Sequence, residues 1–152
     1  RALRSSIPEV SITTDIMVGF PGETDQEFFE TLKFAENMAF SKIHVFQYSP
    51  REGTPAAAFL DQVPSAVKEE RSKRLIELSH KLERNYMNSF IGKRVSVLFE
   101  QSFGGLDGLY EGYTDHYVKV VAKSNNDLHG LILPTLVQYS NDGHMVGNIV
   151  TS

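Results

Sequence analysis

Hydrophobic residues recur in two rhythms along the chain. Up to about Phe90, short alternating runs are separated by longer stretches with apolar residues three and four apart, and from Lys93 only alternation remains. Ile12, Ile16, Val18 and Phe20 alternate with Thr13, Asp15, Met17 and Gly19, which predicts a strand with one aliphatic face and one polar or small face. Ile43 and Val45, set against His44, Phe46 and Tyr48, repeat that pattern. Between them Phe28, Leu32, Ala35 and Ala39 share a helical face, widened by Phe29, Phe34 and Met38. Thr24 with Glu27 forms a capping box at its start, and Asp25 adds a favourable first-turn charge. Each strand breaks into a loop carrying glycine and proline, Gly19-Phe20-Pro21-Gly22 and Ser49-Pro50-Arg51-Glu52-Gly53. The pattern is a strand, helix, strand unit with both loops at the same end, where parallel sheets receive ligands.

An alanine-rich connector follows Pro55, and Ser65 then opens a helix running to Phe90. Leu75, Leu78, Leu82, Tyr86 and Phe90 lie three or four apart, and Gly92 stops it. Beyond it Val95 to Phe99, Leu109 to Tyr113, Tyr117 to Val121, Leu131 to Val137 and Met145 to Val150 read as short strands separated by glycine- and asparagine-bearing turns. Five antiparallel strands in about 60 residues predict a small closed barrel of the oligonucleotide-binding kind, with a domain boundary near Ile91.

Charge adds one asymmetry. The net charge of -4 divides into five Lys/Arg against nine Asp/Glu in residues 1–67, eight against four in residues 68–94, and two against six in residues 95–152. Only the middle segment offers a basic footprint for a phosphate backbone, with Arg71 and Arg74 as candidates; the competing reading is a solvated helix face. The chain has no cysteine, which removes disulfides, thiolate nucleophiles and cysteine-held metals or clusters from these residues. No apolar run reaches the roughly 20 residues that span a bilayer, and a cytoplasmic protein without membrane partners is expected.

The chemistry is sparse. Histidines 44, 80, 116, 129 and 144 include no pair at ligand spacing, no nucleophile elbow occurs, and neither a metal site nor a catalytic residue is predicted. The glycine loop at 19–22 opens a helix, as phosphate cradles do, yet Glu23, Asp25 and Glu27 would oppose a dianion. It is either a plain turn or a backbone contact for a neutral or zwitterionic ligand. Phe46 and Tyr48 could stack on or hydrogen-bond a purine, with Arg51 pairing a carboxylate or phosphate. Equally, they could fill a core, with Arg51 paired to Asp15 or Glu52. Tyr113, His116, Tyr117 and Lys119 could form a stacking face for single-stranded RNA, or be ordinary strand residues.

Asp-Ile-Met-Val-Gly-Phe-Pro-Gly-Glu-Thr at 15–24, Phe-Gln-Tyr-Ser-Pro-Arg-Glu-Gly-Thr-Pro-Ala at 46–56 and Val-Pro-Ser-Ala-Val-Lys-Glu-Glu-Arg at 63–71 resemble, in this order, the last third of a radical S-adenosylmethionine methylthiotransferase. Glu111-Gly112-Tyr113-Thr114-Asp115 resembles the branch that modifies threonylcarbamoyladenosine beside the tRNA anticodon, and the final barrel resembles the TRAM domain of that family. The resemblance implies an α+β chain: residues 1–62 as the last two strand-helix units of a TIM-type barrel, 63–91 as a connecting helix, and 92–152 as a five-stranded TRAM/OB-like barrel.

It also implies a site. Asp15, Met17, Gly19, Phe46, Tyr48 and Arg51 would border S-adenosylmethionine and substrate. Arg71, Arg74, Tyr113, His116, Tyr117 and Lys119 would contact the tRNA anticodon arm. In the full-length protein S-adenosylmethionine and 4Fe-4S clusters are the expected cofactors. The cluster cysteines are missing here, so the chain alone is expected to bind neither cofactor and to be inactive. Unpaired barrel strands are expected to favour self-association, or disorder of the first 60 residues. The rival readings are a ribosomal-protein methylthiotransferase fragment and a non-catalytic RNA-binding adaptor.

Overall fold

The computed structural model describes residues 2–150. Contacts divide the chain into two units, Ile12–Glu83 and a second one made from the segment up to Ser11 together with the chain from Arg84. Among the described residues no helix is long and apolar enough to cross a membrane.

In the first unit, strand β1 (Thr13–Val18) pairs in parallel with β2 (Lys42–Gln47), and helix α2 (Asp25–Met38) joins them. The capping box forms as its residues dictate. The Thr24 hydroxyl accepts from the Glu27 amide at 3.2 Å, and the Glu27 carboxylate accepts from the Thr24 amide at 2.8 Å. Helix α3 (Ser65–Asn88) packs Leu75 and Leu82 against the core of this unit. Val18, Phe28, Ala35, Phe40, Ile43, Leu75 and Leu82 make the core between sheet and helices. Three expectations change here. Phe29 and Phe34 are exposed, and Ala39 is the left-handed cap that ends α2. Phe20 lies past the end of β1, where alternation stops, and is exposed. The edge of β2 is partly covered, because Ser79 of α3 accepts from the Ile43 amide at 3.0 Å and donates to the Ile43 carbonyl at 3.2 Å.

In the second unit, β3 (Arg94–Ser102), β4 (Leu109–Thr114), β5 (Lys119–Lys123), β6 (Ile132–Asn141) and β7 (His144–Ile149) close into a barrel in the order β3-β4-β5-β7-β6. The five expected strands are present but not all antiparallel; β5 and β7 are parallel, because β7 returns past its hairpin partner β6 to close on β5. That is a Greek-key closure, and it removes free edges. Met87 and Phe90, from the end of α3 and the turn after it, pack into the barrel core with Val97, Phe99, Val120, Val137 and Met145. The third strand begins at Lys119 instead of Tyr117, which sits in a left-handed turn with φ 58°. The leading segment, with short helix α1 (Ala2–Ser6), also belongs to this unit: the Glu9 carbonyl accepts from the Tyr86 hydroxyl at 2.6 Å, and the Glu9 carboxylate pairs with Lys93.

Candidate functional sites: a loop mouth and a barrel groove

The parallel register of β1 and β2 sets Asp15 opposite His44 and Met17 opposite Phe46. All four are exposed, on the face of the sheet turned away from the helices. Of the residues expected to border a cofactor, Asp15, Met17 and Phe46 therefore share one open surface. Gly19 and Tyr48 lie where its two strands end, and both are buried. Among the described residues the Tyr48 hydroxyl has no hydrogen-bond partner. Phe20 stacks edge-on against Tyr48, ring centroids 5.2 Å apart, and against Phe59 at 6.5 Å, so aromatic groups line the carboxyl ends of both strands. Arg51 is exposed in the second loop; among the described residues it forms no ion pair with Asp15 or Glu52.

The first amide of the glycine loop is already taken, which counts against a phosphate cradle. Gly19 N–H donates to Glu23 Oε2 at 2.6 Å, and the same oxygen accepts from Arg71 Nη1 at 2.6 Å. Arg71 Nη1 also donates to the Glu23 carbonyl at 3.0 Å, and Nη2 to Asp25 Oδ1 at 2.7 Å. Arg71 is 3% exposed. Burial alone would lower its pKa, but the hydrogen bonds it donates to Asp25 and Glu23 outweigh this, and the guanidinium stays charged. Arg71, a candidate RNA contact, is thus placed beneath the surface with both terminal nitrogens turned to the loop. Arg74 is half-exposed, stacked over Phe28 at 5.1 Å and paired with Glu70 at 3.4 Å.

One further interaction went unseen in the sequence. Lys68, one turn before Arg71, donates from Nζ to the Tyr48 carbonyl at 3.0 Å. Its methylenes lie so close to Gly19 that a Cβ there would stand 2.2 Å from Lys68 Cγ. The three-residue spacing of Lys68 and Arg71 was the signal available.

The surface asked to bind S-adenosylmethionine fits its apolar and aromatic parts. Phe46 and Met17 offer flat and thioether surfaces, and Tyr48 holds an orphaned hydroxyl near the strand ends. A cluster does not fit: the chain has no cysteine, and among the described residues no three His, Asp or Glu side chains converge to hold a metal.

The barrel carries a separate concavity of about 630 Å³, lined by Ser96, Leu98, Glu100, Tyr113, Thr114, Asp115, Tyr117 and Ile132. The turn after β4 builds one wall. The Thr114 hydroxyl accepts from the amides of His116 and Val118, and the left-handed Tyr117 presents its ring 88% exposed. The left-handed backbone at Tyr117 (φ 58°) is what turns the ring outward. Tyr113 and Tyr117 thus come together. His116 does not join them; its ring packs on Phe90 at 5.4 Å, and Nδ1 lies 2.6 Å from the Asp115 carboxylate. Lys119 is committed as well, with Nζ 3.0 Å from Glu111 Oε2.

Glu111 is buried, and hydrogen bonds from Gln101 and Lys119 hold its pKa below the ordinary carboxylate range. A depressed carboxylate adds stability above its unfolded pKa and loses it as pH falls through the folded value. The thermal midpoint of the native chain should therefore exceed that of Glu111→Gln at neutral pH, the gap closing below about pH 4. A gap unchanged down to pH 2 would contradict the ion pair.

No family model matches the chain. Among known proteins it is similar to the threonylcarbamoyladenosine tRNA methylthiotransferase MtaB of Bacillus subtilis, 43% identical over 86% of this chain and 30% of that protein. The tRNA-2-methylthio-N(6)-dimethylallyladenosine synthase of the same organism is 40% identical over 99% of the chain and 30% of its own length. The MtaB of Thermotoga maritima is 45% identical over 77% and 26%. The chain thus spans about 30% of the length of the curated relatives it matches. At these identities, sustained across both units, the chain belongs to the tRNA methylthiotransferase family and carries one segment of it.

Proposed function

We propose that this chain is the carboxyl-terminal part of a radical S-adenosylmethionine tRNA methylthiotransferase that acts on threonylcarbamoyladenosine next to the anticodon. Residues 1–62 contribute the last strand-helix units of its TIM-type barrel, 63–91 the connecting helix, and 92–152 a TRAM-like domain for the tRNA anticodon arm. The observation that carries the reading is the register that puts Asp15, Met17, His44 and Phe46 on one exposed sheet face, ending in two loops rich in aromatic groups. An inner barrel wall needs that arrangement, and a finished two-strand layer has no use for it. The open edge of β1 and this face are then where the remaining strands join, and where separated chains would self-associate.

When bound, S-adenosylmethionine would supply the radical that removes hydrogen from the base, with 4Fe-4S clusters held by cysteines outside this chain. The residues here hold and orient: Met17 and Phe46 cover the apolar parts of the cofactor, Tyr48 offers its hydroxyl, and Arg51 in the second loop meets an anionic group of cofactor or substrate. Such an enzyme works in the cytoplasm, beside its tRNA.

Two measurements test the reading. Transfer RNA from cells with and without the intact enzyme should differ in methylthio-threonylcarbamoyladenosine. A difference confined to methylthio-dimethylallyladenosine would move the assignment to the sister nucleoside, and a methylthiolated ribosomal protein with unchanged tRNA would overturn it. Tyr117→Ala should weaken binding of an anticodon stem-loop by about tenfold, the scale of one lost base stack. Salt dependence should be shallow, since the groove lining holds no lysine or arginine. Unchanged affinity, or loss of binding with modest added salt, would remove the groove from RNA recognition.

A further inference from the structure

We propose that Lys68 and Arg71 of α3 are positioning residues that fix the spacing between the loops after β1 and β2, and so set how well the mouth receives its cofactor. The cofactor part of this inference rests on the function proposed above; the mechanical part does not.

Each side chain reaches from the helix to the strand ends. Lys68 ties its Nζ to the Tyr48 carbonyl at the end of β2, while its methylenes press on Gly19 at the end of β1. Arg71 acts through Glu23: the guanidinium grips the Glu23 carbonyl and carboxylate, and that carboxylate holds the Gly19 amide. One helical turn therefore staples both loops. Gly19 adopts φ 72° and Gly22 φ 85°, conformations open to glycine at little cost, and a Cβ at Gly19 would collide with Lys68.

Structural need alone does not explain the choice of residues. A buried guanidinium is costly to desolvate, and apolar side chains of similar volume would join helix to loop at least as firmly. Among the described residues Arg71 Nε, which is buried, has no partner, so the arrangement is not even fully satisfied. Ionic contacts add direction, since each fixes one backbone atom: the Gly19 amide, the Glu23 carbonyl and the Tyr48 carbonyl. These atoms flank Phe20 and Tyr48, the rings that meet across the two loops. Preorganised loops of this kind serve ligands that tolerate little misplacement. A consequence is that the Gly19 amide is withheld from any ligand, which must be held by side chains and by the remaining loop backbone.

The test uses Lys68→Met, which keeps the methylenes against Gly19 and removes the ammonium, alongside Arg71→Lys and, as a control, Leu82→Ala in the core of the same unit. In this chain, hydrogen exchange at the Gly19 and Tyr48 amides should quicken by about tenfold in the first two variants, the scale of one lost charge-assisted hydrogen bond, while amides inside α2 keep their rates. Leu82→Ala should quicken exchange throughout the unit. Unchanged loop exchange, or a uniform rise like that of the control, overturns the staple.

In the intact enzyme, Lys68→Met should raise KM for S-adenosylmethionine by about tenfold with a smaller change in kcat, and Arg71→Lys should lose less than Arg71→Met. Loops that loosen while KM stays within twofold of the native value overturn the link to the cofactor. A native enzyme that consumes no S-adenosylmethionine defeats the proposed function instead, and the exchange result still decides the staple.

Discussion

Gly112→Ala should cost the barrel about 3 kcal/mol or more, a large share of the stability of a small domain. Gly112 sits in β4 opposite Phe99, next to the bulge where β3 shifts register between Phe99 and Gln101. A Cβ built there would lie 2.1 Å from the Leu98 carbonyl oxygen and 2.7 Å from both Leu98 C and Phe99 Cα. These are backbone atoms, so no rotamer change relieves the clash; the strands must part, and Phe99, which is fully buried, must move with them. Overpacking against side chains typically costs about 1–3 kcal/mol, and a collision across a strand seam belongs at the top of that range or above it. Gly143→Ala is the comparison. That glycine has φ 78° but open space around it, so only backbone strain of about 1–2 kcal/mol is expected. Urea denaturation of both variants, followed by circular dichroism, checks the pair. Equal losses, or less than about 1 kcal/mol at Gly112, would mean that the seam is looser than the geometry says.

Gly112 also marks a limit of reading from sequence. Alternation along residues 95–150 located five strands, because one-face burial writes a period of two into the chain. It could not find the β5 to β7 pairing, since a parallel contact between non-consecutive strands leaves no local trace. The same contrast holds in the first unit. The capping box at Thr24 and Glu27 is a short-range device, and it forms as read. The aromatic residues of α2 misled, because apolar positions flanking a helix face widen it in the sequence whether or not the fold covers them, and Phe29 and Phe34 stay exposed. The strand face holding Asp15, Met17 and Phe46 was legible, since side-chain direction along a strand follows directly from parity. Arg71 was not. Charge counting saw eight basic residues in the middle segment and assigned them outward, but which carboxylates meet a cation is decided by the tertiary fold, about 46 to 48 residues away.

The burial of Arg71 gives the second large expected effect. Arg71→Met should destabilise the Ile12–Glu83 unit by about 3–5 kcal/mol, the usual result of removing one partner from a buried ion pair. The loss should come through Glu23 and not through Asp25, although both touch the guanidinium at similar distance. The Glu23 side chain is 14% exposed and, without Arg71, would lose its cationic partner in a largely dry setting. That of Asp25 is 98% exposed and would be solvated by water at once. Asp25→Asn should therefore cost less than about 1 kcal/mol. Adding Glu23→Gln to Arg71→Met should recover at least about half of the loss, because the amide oxygen can still accept from Gly19 N–H while the stranded charge is gone. Urea melts of the native chain, the single variants Arg71→Met, Asp25→Asn and Glu23→Gln, and the double variant decide the matter: strict additivity in the double variant, or an Asp25→Asn cost equal to that of Arg71→Met, would refute the geometry. The same variant separates the two roles open to Arg71 from sequence. If the guanidinium is spent on the loop, Arg71→Met leaves anticodon stem-loop affinity and its salt slope unchanged. Were it bound to a phosphate instead, the substitution would weaken binding and reduce the slope by about one.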